Sequence, residues 1–323
     1  MTFNLIRRAL VAFAAGLPLV AAAQDAWPTR PITMIIPFPP GGVADAVGRP
    51  VADALSRLLG QPVVVENRAG AGGGVGMAQV ARAKPDGYTV MMALSSVTIL
   101  PEADRVLERS PMYTLDQLTP IARFTADPTV LVVRADSPWQ TLDDFIADAR
   151  RRPGAITFGS SGNYGTMHVP MEMLKQASGT FMLHVPYTGA GPAIVGLIGS
   201  QVDALATGPA TIVQHVKAGR LRALAHWGDG RLTSLPDVPS LEQSGMKIRF
   251  SQWAGLFAPA GLPDAVTARL REAAARAATD ERVVKSITGA GTPIQFLDSE
   301  AFTSFVKDDA RVMGEVVRRI GKQ

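Results

Sequence analysis

Residues 33–57 read T-M-I-I-P-F-P-P-G-G-V-A-D-A-V-G-R-P-V-A-D-A-L-S-R, and no other stretch limits the fold so strongly. The apolar run 32–36 predicts a buried strand. Pro37, Pro39, Pro40, Gly41 and Gly42 break it. Val43, Ala46, Val47, Val51, Ala54, Leu55 and Leu58 then recur at helical spacing. Pro50 interrupts that helix, so a kink or break is expected near Gly48. The unit is strand, glycine turn, helix. Gly41 and Gly42 let backbone approach a ligand closely. The first helical N–H groups beyond them lack intrahelical partners and, with the helix dipole, favour an anion. No lysine is needed there and none is present. An ordinary tight turn explains this stretch equally well.

A similar unit follows at residues 155–174. The strand 156–158 runs into G-S-S-G-N-Y-G-T (residues 159–166), then a helix from about Met167. Ser160, Ser161, Asn163 and Thr166 add side-chain donors there. Two such units could face one another and hold a carboxylate from both sides.

Apolar runs at 32–36, 63–66, 88–93, 129–133, 156–159, 203–207 and 221–226 alternate with helical segments. That alternation predicts an α/β fold with mainly parallel sheet. Pro85-Asp86-Gly87 reads as a turn. Residues 264–288 and 299–320 read as amphipathic helices, with Asp298 or Ser299 as a cap.

Several chemistries lack their residues. The glycines at 70, 72, 73, 74 and 76 never take G-x-G-x-x-G offsets, because Val75 and Met77 stand where the third glycine belongs. A nucleophile elbow needs G-x-S-x-G, but Asn163 follows Gly159 and Ser161 in the last position. His168 is expected to cap or orient its loop; as a base it would serve a hydrolase built on Ser161. The four histidines have no metal spacing. Asp45 is expected to suit the helix dipole and steady its loop. Cofactors are not expected.

The 323-residue chain has no cysteine, which excludes disulfides and a lipid anchor on a processed cysteine. Arg7 and Arg8 precede an apolar run at 9–20 and Ala21-Ala22-Ala23, the pattern of a secretory signal. The flanks of the arginine pair suit ordinary secretion better than a twin-arginine route. Cleavage after Ala23 leaves 323 − 23 = 300 residues, enough for two lobes. Net charge falls from +4 to +4 − 2 = +2. With no basic tract, nucleic acid is a poor partner.

Residues 27–42 (W-P-T-R-P-I-T-M-I-I-P-F-P-P-G-G) resemble the mature N-terminus of Bug-type periplasmic solute receptors, the substrate-binding subunits of tripartite tricarboxylate transporters. The resemblance continues through residues 63–76, P-D-G-Y-T at 85–89, residues 158–168 and H-V-P-Y-T-G at 184–189. It extends to G-S-Q-V-D at 199–203, L-R-A-L-A at 221–225, L-P-D-V-P-S at 235–240 and F-A-P-A-G-L-P at 257–263. It implies a two-lobed periplasmic binding protein of type II, the Venus-flytrap form, with a carboxylate in the interlobe cleft. Lobe one would comprise residues 24–126 with 250–323, and lobe two residues 127–249. The crossings would lie at 123–127 and 250–255. The expected ligand-binding set is Phe38, Pro40, Gly41, Gly42, Val43, Ser95, Ser96, Ser160, Ser161, Gly162, Asn163, Thr166, Tyr187 and Thr207. Trp253 is read as cleft wall or core. The implied partners are a small carboxylate and the permease subunits, and the receptor is expected to be a monomer. A sensor feeding a membrane kinase would share the fold.

Three departures bear on specificity. Val43 stands where many members of that family carry Thr or Ser. Thr188 stands where Lys is common, and Tyr164 adds an aromatic. Together they lean toward an aromatic or longer-chain carboxylate.

Overall fold

The apolar run at 32–36 forms the strand it predicts, β1 (Ile32–Ile36), and the glycine turn delivers the chain into α1 (Val43–Leu59). A computed structural model describes residues 27–322; the expected leader, residues 1–23, lies outside them. The chain continues through β2 (Val63–Asn67), α2 (Gly74–Ala81), β3 (Thr89–Leu94), α3 (Ser96–Val106) and β4 (Leu118–Pro128). Next come β5 (Val130–Arg134), α4 (Leu142–Arg151), β6 (Thr157–Ser160), α5 (His168–Ser178), β7 (Leu183–Pro186) and α6 (Ala190–Ile198). They are followed by β8 (Ala204–Thr207), α7 (Pro209–Lys217), β9 (Leu221–His226) and β10 (Ser251–Pro259). The chain closes with α8 (Asp264–Thr279), α9 (Glu281–Gly289) and α10 (Ser299–Ile320).

The strands form two five-stranded sheets, ordered β2-β1-β3-β10-β4 and β7-β6-β8-β5-β9. Mainly parallel pairing was the expectation; four of the eight pairings are antiparallel. The antiparallel ones involve β5 and β10, the strands nearest the crossings. A strand entering a new sheet there is freed from the right-handed βαβ rule that makes its neighbours parallel.

Pro50 does not end α1, which runs continuously from Val43 to Leu59. Close packing holds it: a Cβ on Gly48 would fall 2.7 Å from Ile36 Cδ1 and 3.3 Å from Met92 Cβ. The bare glycine brings the helix onto the sheet, and that burial outweighs the hydrogen bond lost at proline. The predicted helix at 264–288 is two helices. Asp280 accepts from the N–H groups of Arg282 and Val283 and so caps a second start. Asp298 caps α10 through Ala301 N–H.

The crossings lie side by side. Thr129 N–H donates to Phe250 O, Phe250 N–H to Trp227 O, and Trp227 N–H to Thr129 O, at 3.3, 3.1 and 3.0 Å. α10 packs on α3 and β4, and its C-terminal end reaches α5, where Gln176 Nε2 donates to Arg319 O at 3.2 Å. No described helix is long and apolar enough to cross a membrane.

Candidate functional site

The first loop is held from behind by a charged clamp. Asp45 accepts from Gly41 N–H at 3.2 Å, from Arg49 Nε at 2.9 Å and from Asn67 Nδ2 at 3.2 Å. Asn67 also donates to Phe38 O at 2.8 Å. Burial pushes the Asp45 carboxyl up, but the hydrogen bonds from Arg49, Gly41 and Asn67 outweigh it and hold the pKa below the usual range. Gly41 needs its glycine, with φ at +83°. Gly42 does not: its φ of −91° and ψ of 176° are ordinary extended backbone. Among the described residues, the N–H groups of Gly42, Val43 and Ala44 have no acceptor. They form the bare end of α1.

The second loop is held by histidines. Tyr164 N–H donates to His168 Nδ1 at 3.0 Å, which leaves the ring proton on Nε2, facing Glu172 at 3.5 Å. His168 stacks on His184 at 4.1 Å, and His184 stacks on Phe158 at 5.0 Å. Burial, then the neighbouring His168, pushes the His184 pKa down to about 3, so His184 is neutral near pH 7. His184 Nε2 shares a 2.6 Å hydrogen bond with Ser160 Oγ. The Tyr164 hydroxyl turns away and donates to Gly321 O at 2.5 Å.

The two loops meet across the cleft. A Cβ on Gly162 would lie 2.9 Å from Gly72 N, and one on Gly42 would lie 3.7 Å from Ala190 Cβ. Between the loops is a cavity of about 10 Å³, lined by Phe38, Gly42, Val43, Ala44 and Leu94 on one side. Ser161, Thr166, Met167 and Ala190 line the other, and Gln252 closes the end nearest the crossings. Gln252 Nε2 donates to Thr166 Oγ1 at 2.6 Å. Ser161 Oγ and Gln252 Oε1 are buried without a partner. No charged side chain lines this cavity.

A larger cavity of about 780 Å³ opens beyond Ser161, lined on one side by Gly72, Gly74, Leu100, Asp104, Arg109 and Tyr113 among others. Gly162, Asn163, Tyr164, Tyr187 and Thr188 complete it. Its cation is Arg109, paired with Asp104 at 2.8 Å.

The candidate residues therefore divide. Phe38, Gly42, Val43, Ser161 and Thr166 share the small cavity, and Gly162, Asn163 and Tyr187 the larger one with Ser161. Ser95 and Ser96 stand at the start of α3 with hydroxyls buried and unpartnered. Other candidates have polar atoms already engaged: Gly41 N–H on Asp45, Ser160 on His184, and Thr207 on Thr211 at 3.1 Å. Pro40 presents its carbonyl to Gly191. Sequence reasoning missed Gln252, Ala44, Leu94, Met167 and Ala190. Gln252 carried a signal, a lone amide before the apolar run W-A-G-L-F. Trp253 is fully buried core. Ser161 Oγ has no base within hydrogen-bond reach, and the nearby His168 spends Nδ1 on Tyr164. Among the described residues, no group of three or more His, Asp or Glu could hold a metal ion.

Two sheets joined by adjacent crossings, with paired helix-start loops between them, define a two-lobed periplasmic binding protein. Comparison agrees. A structure titled periplasmic binding protein BugD superposes with a TM-score of 0.86 at 29% identity, covering 92% of this chain and 100% of that one. Malate-bound MatC of Rhodopseudomonas palustris superposes at 0.85 with 28% identity, over 90% and 100% of the two chains. Protein BugT of Bordetella pertussis is 33% identical over 308 residues, 95% of this chain and 94% of BugT. The family model described as tripartite tricarboxylate transporter family receptor matches residues 47–322. The chain belongs to that family, which is made of periplasmic solute-binding receptors and not of enzymes.

Proposed function

We propose that this receptor captures an organic carboxylate between its two loops and delivers it to the membrane permease of a tripartite tricarboxylate-type transporter. The observation that carries this is the uncharged cavity where three free main-chain N–H groups of the first loop face the Ser161 hydroxyl of the second. Such donors suit an anion without a lysine or arginine. The family and the malate held by MatC support a carboxylate.

In this reading lobe one comprises residues 24–126 and 250–323, and lobe two residues 127–249. A leader ending at Ala23 sends the chain to the periplasm. Gly42, Val43, Ser161 and Thr166 touch the carboxylate; Phe38, Asn163 and Tyr187 border the rest of a di- or aromatic carboxylate. A cavity of about 10 Å³ has room for about one water, so it admits a carboxylate only when the lobes part about the crossings.

A thermal-shift screen over mono-, di- and tricarboxylates, aromatic acids and acidic amino acids, followed by calorimetry, tests the reading. A ligand at 100 times its Kd stabilises the fold by about 2.7 kcal/mol. Protein that binds none of these acids would refute it.

A further inference from the structure

Gln252 lies outside both loops, yet it closes the cavity between them. It sits on β10, one residue past the strand's start at the return crossing, and is 2% exposed. Its Nε2 reaches across the cleft to Thr166 Oγ1 at 2.6 Å, while Oε1 has no partner. The Thr166 hydroxyl can donate or accept, so Gln252 can offer either amide edge to it and turn the other to a ligand.

We propose, building on the carboxylate reading above, that Gln252 reads the substituent at C2 of the bound acid, admitting hydrogen or hydroxyl and rejecting ammonium. The cavity's charge pattern carries this. None of its ten lining residues is charged. The helix start beside Gly42 presents the positive end of the α1 dipole, which favours the carboxylate and repels a cation. Asp45, the acid closest in sequence, spends its oxygens on Gly41, Arg49 and Asn67. Asp127 stands opposite Gln252 on β4 but lines a different cavity, with residues 229–234. Burial also pushes its pKa up to about 7, so it supplies only a fractional counter-charge. A buried ammonium here meets amide and hydroxyl oxygens but no full negative charge. A 2-hydroxyl meets the unpartnered Gln252 Oε1, and with hydrogen at C2 that oxygen stays unpaired.

Calorimetry with two matched series tests the proposal. The first is succinate, malate and aspartate; the second is phenylacetate, mandelate and phenylglycine. Each differs only at C2. Wild-type protein is expected to bind the hydroxy acid tightest, the unsubstituted acid about tenfold more weakly, and the amino acid at least about 100-fold more weakly. Gln252→Leu should bring the hydroxy and unsubstituted acids to near-equal affinity. Gln252→Glu supplies the missing charge and should raise amino-acid affinity while lowering that of the other two. A merely structural Gln252 would weaken all three acids equally, and that result overturns the proposal. So does a wild-type amino-acid affinity matching the hydroxy acid. Wild-type protein that binds neither series but does bind another acid of the wider screen overturns this proposal alone. Protein that binds no acid of that screen refutes the carboxylate reading as well, so the two failures are distinguishable. The wild-type ratios stand as a test even if a variant does not fold.

Discussion

The two loops bring similar backbone to the cleft and opposite side chains. The first is apolar on its cleft face: Phe38, Val43 and Ala44 surround main-chain donors, and the polar residues that shape it stand behind it. The second puts Ser161 and Thr166 into the cleft, while the buried His168 and the half-buried His184 support it. Main-chain donors are identical whatever the sequence, so in the proposed reading the first loop would hold any carboxylate. Side-chain donors vary with sequence, so in the proposed reading the second loop and Gln252 would set which carboxylate is held.

The comparison is broken most severely at Gly42. Its backbone accepts any residue, but its Cβ position lies 3.7 Å from Ala190 Cβ in the opposite lobe. Valine there adds methyl groups between lobes that must close. Gly42→Val is expected to abolish carboxylate binding in calorimetry while melting near the wild-type temperature. Binding like wild type in a folded variant would remove the first loop from the site.

Ser161→Ala removes one side-chain donor. A hydrogen bond to a charged group is worth about 1.5–3 kcal/mol, so affinity should fall roughly 10- to 150-fold. The loss should differ between ligands. An equal loss for every acid would place the selectivity elsewhere.

How much of this was legible follows from where the information lies. β1, the Gly41-Gly42 turn and α1 could be read because a run, a break and a period are local signals. The second loop could be read from G-S-S-G-N-Y-G-T for the same reason. The crossings at 123–127 and 250–255 came from the family resemblance and not from a local signal, and β4 and β10 were not read as strands, because their pairing depends on partners far off in sequence. Gln252 needed that pairing, since its amide meets Thr166 only through the closed cleft. The split at Asp280 was local and was missed because Asp-Glu sits comfortably inside an apparent amphipathic run. Tyr164 was read as an aromatic of the second loop; it lines the larger cavity, and its hydroxyl also ties the loop to Gly321 at the end of α10.

The support of the second loop and the crossing between the sheets should also respond oppositely to pH. His184, behind the second loop, has its pKa lowered from 6.5 to about 3. Below pH 6.5 the unfolded chain takes up a proton there that the folded one refuses, so stability falls as pH drops toward 3. Asp127, beside the crossing from the first lobe, has its pKa raised from 3.8 to about 7, chiefly by burial. Between those values the folded chain holds a proton that the unfolded one has lost, so its contribution falls as pH rises from 4 toward 7. Melting curves across pH should therefore show two limbs. His184→Asn is expected to flatten the acid limb and Asp127→Asn the other, each by several degrees at roughly 2–4 °C per kcal/mol. One variant flattening both limbs would show that the second loop and the crossing are coupled.

The smallest expected effect gives the finest test, because Val43→Thr makes the first loop resemble the second. Val43 is 3% exposed and its Cγ2 lies 2.9 Å from the position of a Cβ on Gly208, so the residue is clamped between lobes. Threonine nearly matches its volume, and the change reduces to one buried hydroxyl. Unsatisfied, that hydroxyl costs stability. The carboxylate, or the unpartnered Gln252 Oε1, can satisfy it. A net hydrogen bond is worth about 0.5–1.5 kcal/mol, or roughly 2- to 13-fold in affinity. Small polar acids leave room for the hydroxyl to turn toward them, whereas a bulky ring covers it with carbon. Val43→Thr should therefore improve binding of small hydroxy acids several-fold and leave aromatic acids unchanged or weaker. If calorimetry shows the same gain for both, the first loop still holds carboxylates without distinguishing them even with a hydroxyl installed. Selectivity would then belong to the second loop and Gln252 alone.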